Sequence, residues 1–185
     1  MFDYKERVEG IFNNFAGAYD NIWEKRMTLF TDMLIRDVQV PENPMVLDVG
    51  CGTGLLFKHL LNKVKSTVGV DISRGLLGEA RKRMHDRQDI SLVQADADNL
   101  PFKEKAFNSV FAVTLVQNTP NVDNVLNEIK RVSTQKATIV VTGLKKKFTS
   151  EDFLKMLGRA GLKVETLKMD SQNREYVCIC RKTWS

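Results

Sequence analysis

The sequence predicts an open α/β fold: a doubly wound, mostly parallel sheet of seven strands, preceded by helices. Three observations predict it. After Pro44, short apolar runs alternate with amphipathic stretches of about a dozen residues, the pattern of parallel strands joined by helical crossovers. The run "NSVFAVTLV" is apolar almost throughout, as a central strand covered on both faces requires. The glycine-rich stretch "VLDVGCGTG" falls where the first strand should become the first helix. With 185 residues, 43% hydrophobic and 28% charged, the chain suits one domain with a core of its own. Residues 1–40 would form a helical cap and residues 44–185 the α/β core.

The elements follow in order. Val8, Ile11, Phe12, Phe15, Tyr19, Ile22 and Trp23 recur at helical spacing, and "NNFAGAYD" divides this region into two helices because Gly17 and the Asn pair weaken helix continuity. Pro41 and Pro44 end the helical part. "MVLDVG" then reads as a strand, "LLFKHLLNKV" as a helix, "STVGVD" as a strand, and "SRGLLGEARKRMH" as a helix with Ser73 as its N-cap. "ISLVQAD" and "NSVFAVTLV" are the third and fourth strands, "VDNVLNEIKRV" a helix, and "KATIVVTGL" the fifth strand. Thr149 and Asp152 in "TSED" form a capping box for "FLKMLGRAG". "LKVETLKMD" and "REYVCICRK" close the chain as two strands joined by a polar turn, with Cys178 and Cys180 on one side of the last.

Composition narrows the function. No apolar run approaches the roughly 18 residues of a membrane span, and the charged opening "MFDYKERVEG" is unlike a secretory leader, so a cytoplasmic location is expected. Three cysteines without a CxxC pair, and only His59 and His85 as histidines, give a metal site little support. The net charge of +5 permits an anionic partner without requiring one.

Gly50, Gly52 and Gly54 let the backbone turn tightly and approach a ligand with no Cβ in the way. In open parallel sheets that turn lies at the carboxyl ends of the strands, where ligands bind. The dinucleotide fingerprint GxGxxG fails at Leu55, and "GTGLLF" lacks the GK[ST] ending of a phosphate loop. The loop is GxGxG, with Asp48 inside the preceding strand.

These residues resemble motif I of the class I S-adenosylmethionine-dependent methyltransferases, which have a Rossmann-like fold. "VGVDIS" is similar to that family's second strand, whose terminal acid binds the ribose hydroxyls: here Asp71, followed by Ile72. "VQADADNLPF" is similar to the third-strand segment, where Asp96 would meet the adenine amino group and Ala97 would supply a backbone N–H, with Asp98 beside them as the alternative acid. "FNSVFAVTLVQNTPN", which contains Thr114, matches the fourth strand and its turn, and "GLKVE…REYVCIC" the closing hairpin whose last strand enters antiparallel. The resemblance thus implies S-adenosyl-L-methionine as cofactor, held by Asp48, Gly50, Cys51, Gly52 and Gly54 of the loop with Asp71, Ile72, Asp96, Ala97 and Thr114. The chemistry agrees, since a ribose diol and an adenine amino group both donate hydrogen bonds that carboxylates accept.

The opening "VEGIFNNFAGAYDNIW" is similar to methyltransferases of ubiquinone and menaquinone biosynthesis, where a helix folds over the cofactor. On that resemblance Phe15, Tyr19 and Asp20 line the mouth; the other reading makes Phe15 and Tyr19 core residues of an amphipathic helix. Methyl transfer is an in-line displacement that depends on holding and orienting the acceptor, and a proton acceptor matters only for some acceptors. The turn "TLVQNTPN" lacks the [DNS]-P-P-aromatic signature of enzymes that methylate nucleic-acid amino groups, and has Gln117 and Asn118 where small-molecule relatives carry histidines. These two amides either orient an acceptor or cap the helix that begins near Val122. Tyr19 and Asp20 are the remaining proton acceptors near the mouth, and Tyr19, Gln117 and Asn118 the candidate catalytic residues. Lys145–Lys147, with Lys25, Arg26, Lys103 and Lys105 nearby, would attract a phosphate-bearing acceptor or RNA, or form a solvated loop. A small or medium-sized acceptor leads. An RNA or protein acceptor, a partner subunit, or a non-catalytic cofactor-binding role are the alternatives.

Overall fold

A computed structural model describes residues 2–20, 44–60, 64, 66–169 and 174–183. β1 (Met45–Val49) is the axis of the sheet, paired in parallel with β2 (Ser66–Asp71) on one side and β4 (Phe107–Ala112) on the other. β3 (Ile90–Gln94) extends the sheet beyond β2, and β5 (Ser133–Leu144) beyond β4. The last strand, β7 (Glu175–Lys182), inserts antiparallel between β5 and β6 (Leu162–Lys168), giving the order β3-β2-β1-β4-β5-β7-β6. This is the expected Rossmann-like sheet with its antiparallel closing hairpin. Because the chain runs outward from β1 in both directions, a crevice opens at the carboxyl ends of β1 and β4.

The strands read as apolar because both faces are covered. Leu47, Val49, Ile139 and Val141 point into the larger core with Cys178 and Cys180. Val46, Phe111 and Val140 alternate onto the opposite face with Val177 and Ile179. The two cysteines therefore share one side, as their spacing predicts.

α1 (Phe2–Phe15) leads into a tight 3-10 turn at Ala16–Ala18, which is where the expected break falls; the expected second helix lies outside the described residues. α2 is Phe57–Leu60, and α3 (Arg74–Arg83) is capped by Ser73, whose hydroxyl accepts from the Leu76 N–H. α4 spans Val122–Val132, and α5 (Ser150–Arg159) starts at Thr149, whose hydroxyl accepts from the Asp152 N–H. The α4 N-cap is Asn121, which accepts from the Asn124 N–H, so neither Gln117 nor Asn118 caps it.

Two boundaries differ from the expectation. β4 stops at Ala112 although "VTLV" continues apolar, because Thr114 takes a left-handed backbone (φ 56) and Val116–Asn118 coil into a 3-10 turn. β5 starts directly at Ser133, the residue that ends α4 by donating its hydroxyl to the Ile129 carbonyl at 2.6 Å. Lys103 and Lys105 precede β4 and lie at the opposite end of the sheet from the Lys145–Lys147 turn that follows β5, because these two strands are parallel. They do not join that turn as expected. Among the described residues, no helix is long and apolar enough to cross a membrane.

Candidate cofactor and methyl-transfer site

The glycine loop leaves β1 anchored to its neighbour: the N–H groups of Gly50 and Cys51 both donate to the Val70 carbonyl, at 2.7 and 2.9 Å. The Gly52 N–H then donates to Asp71 Oδ2 at 2.9 Å, while the Ser73 N–H donates to Oδ1 at 2.8 Å. Asp71 is thus gripped from the end of β1 and the start of α3. Its burial raises its carboxyl above the ordinary value, against the opposing effect of these hydrogen bonds. A Cβ on Gly52 would stand 3.8 Å from the Tyr19 ring, in space a ligand needs. Gly54 does other work: a Cβ there would come within 2.8 Å of Phe57, which packs beneath the loop, and Gly54 does not line the cleft.

The cleft, counted with the solvent at its open mouth, spans about 780 Å³. Gly50, Gly52, Asp71, Ile72, Asp96, Ala97, Thr114 and Asn118 all line it, so most of the predicted site residues are brought together. Leu76, Leu115 and Val125 add apolar walls to the cleft. A second cavity of about 410 Å³ adjoins it, sharing Tyr19, Gly50, Gly52 and Thr114 and adding Asp48 and Cys51. Asp48 is only 2% exposed, and burial together with the charge of Asp71 pushes its carboxyl up to about 8. Burial also raises the Cys51 thiol. The acceptor-rich lining suits a ligand with several hydrogen-bond donors: Asp71 and Asp96 would accept from S-adenosyl-L-methionine's diol and adenine end, and Asp48 would face its ammonium. When bound, that cofactor supplies an electrophilic methyl group on a sulfonium.

α1 roofs the cleft, and Tyr19 lines it as expected while Phe15 and Asp20 do not. Tyr4, Lys5, Val8 and Phe12 face inward, while Phe15 is 54% exposed and lines nothing. The Tyr19 ring meets Phe12 edge-on at 6.3 Å. Its hydroxyl is pushed well above the ordinary phenol range by burial and by the charges of Asp71, Glu175, Asp20 and Asp48, so it keeps its proton and serves as a donor. Asp20 accepts from the Thr53 hydroxyl at 2.6 Å and pairs with Arg83, closing the roof onto the loop rather than facing the mouth.

Three polar clips hold this roof, none of them visible in the sequence reading. Besides Asp20, Asn13 Oδ1 accepts from the Gly75 N–H and the Ser73 hydroxyl at the start of α3. Lys5 reaches Asp96 at 2.5 Å and both oxygens of Asp98 at 2.7 and 2.8 Å. Burial opposes ionisation of Asp96, but hydrogen bonds from Lys5 and Asp98 hold its carboxyl below the usual range. Asp96 and Asp98 thus share one cation, which is why their adjacency in sequence left the choice between them open.

After β4, the Asn118 amide donates to the Thr114 carbonyl at 2.9 Å. The Gln117 amide is buried without a hydrogen-bond partner and does not line either cavity. Thr114 is a β-branched residue in a conformation that costs about 1–3 kcal/mol. His85 is exposed beside Asp86, remote from the cleft, and the Lys145–Lys147 turn does not line it either.

A parallel sheet with a glycine loop after β1, acids ending β2 and following β3, and an antiparallel last strand defines the class I methyltransferase architecture. Residues 47–141 match the model of the methyltransferase domain family, and the chain belongs to that family, whose cofactor is S-adenosyl-L-methionine. It is 29% identical over 142 residues to demethylmenaquinone methyltransferase of Staphylococcus saprophyticus, of the group its opening resembles. That alignment covers 69% of this chain and 58% of the relative, so the chain spans little more than half of that protein's length. Among solved structures, magnesium protoporphyrin IX methyltransferase from Synechocystis, with bound S-adenosylmethionine, superposes with a TM-score of 0.78 at 18% identity, covering 100% of this chain and 99% of that one. A chain from the complex of the Haloferax volcanii Trm112 methyltransferase activator gives 0.82 at 17% identity, covering 94% and 98%. Both likenesses are of fold.

Proposed function

We propose that this chain transfers a methyl group from S-adenosyl-L-methionine to a small or medium-sized acceptor in the cytoplasm, by in-line displacement. The observation that carries the reading is the grip of Gly52 and Ser73 on Asp71 at the floor of the cleft, beside the glycine loop. Asp71 and Asp96 would hold the nucleoside end of the cofactor and Asp48 its ammonium. Tyr19 and Asn118 would orient the acceptor, Tyr19 as a donor, and the aromatic roof would exclude water from the reacting centre. Among the described residues no histidine lines either cavity, which favours an acceptor that is nucleophilic without losing a proton first. A partner protein is a second reading, supported by the shared fold with a chain from an activator complex.

Calorimetric titration with S-adenosylmethionine tests the reading. Asp71→Ala should weaken binding at least tenfold, because it removes hydrogen bonds of a buried carboxylate worth about 1.5–3 kcal/mol. Failure of the unaltered protein to bind would end it.

A further inference from the structure

Thr114 stands at the boundary of the two cavities and lines both. Its left-handed backbone (φ 56) is one that a β-branched side chain resists, so something must hold it there. Two bonds do. Its N–H donates to Thr142 Oγ1 at 2.8 Å, and its hydroxyl donates to Glu175 Oε1 at 2.9 Å. Thr142 is fully buried and Glu175 only 8% exposed, so water competes poorly for either bond.

Glu175 opens β7 and pairs with Leu144, the last residue of β5. The antiparallel entry of β7 therefore delivers a carboxylate to the same end of the sheet as the turn after β4. Its charge also acts on the Tyr19 hydroxyl in the roof. Glu175 does not itself line either cavity.

We propose that Glu175 is a positioning residue: from the closing hairpin it fixes Thr114 in its left-handed conformation, and so shapes the boundary where cofactor and acceptor meet. The proposal rests on the cofactor reading above. The carbonyl of Thr114 carries the effect onward, because it accepts the Asn118 amide and so sets the turn that faces the acceptor.

Titration of S-adenosylmethionine into a set of variants tests it. Glu175→Ala should weaken binding about tenfold, the loss of one good hydrogen bond to a charged group. Glu175→Gln should stay within about threefold of the unaltered protein, because its amide oxygen still accepts the Thr114 hydroxyl. In a Thr114→Val background, which already lacks the hydroxyl, adding Glu175→Ala should weaken binding no further. A residue needed only for stability would weaken it again. If circular dichroism shows Glu175→Ala unfolded, Thr142→Val removes the other bond and should show a similar loss. Unchanged binding in the alanine variant, or a further loss on adding Glu175→Ala to Thr114→Val, overturns the proposal alone. No binding by the unaltered protein overturns it together with the cofactor reading.

Discussion

At the scale of single residues, charge in a dry place is the governing theme. Asp48 sits inside β1 beside Asp71, and burial with that neighbouring charge lifts its carboxyl to about 8. A carboxyl raised above its ordinary value of about 4 favours the folded state most at low pH, and that contribution is lost as pH rises through about 8. A carboxyl held high in this way should carry a proton near neutral pH and give it up when a cation binds beside it. A cationic cofactor should displace that proton. Calorimetry near pH 7 in two buffers of different ionisation heat should show release approaching one proton in the unaltered protein and none in Asp48→Asn. Equal heats in both buffers would contradict this. Asp48→Asn should also raise the denaturation midpoint above pH 8, where the parent carries a buried charge.

At the scale of elements, polar clips help to join α1 to the core, and each is modest. The Lys5 and Asp96 side chains are 22% and 34% exposed, a setting in which an ion pair contributes about 1 kcal/mol or less. A roof held this way opens far more readily than the sheet beneath it. Lys5→Ala should speed amide hydrogen exchange in residues 2–20 while leaving β1, β4 and β5 protected. Exchange that rises equally throughout would mean that Lys5 supports the whole fold. None of the clips has a local signature. Lys5 and Asp98 are 93 positions apart, and Asp20 and Arg83 are 63 apart, so no window of sequence contains both partners. Phe15 departs from the expected stripe for a related reason. It lies three residues after Phe12 on the same side of the helix, and only the extent of the surface beneath decides whether it is covered.

At the scale of the whole molecule, the sheet was legible because a parallel strand buried on both faces announces itself by composition. The positions of Asp71 and Asp96 were legible because topology sends every parallel strand end to one crevice. The end of β4 was not, since "VTLV" is as apolar as the strand and only the backbone of Thr114 departs. Glu175 was passed over because a charged residue near the start of a strand carries no local mark of a role, and its partner Thr114 is 61 positions earlier. The insertion of β7 between β5 and β6 has a further consequence, for synthesis. β6 leaves the ribosome with no neighbour in the sheet, and waits until β7 emerges to join it to β5. Through that interval the nascent chain carries two unsatisfied strand edges, the kind that invites mispairing or chaperones. Chains stalled before Glu175 clears the exit tunnel should be cut readily by a protease between β5 and β6, and chains stalled well after Lys182 should resist; equal resistance would mean that the sheet closes by another order. If Glu175 fixes Thr114 as proposed, the cofactor site is completed only once β7 has joined β5.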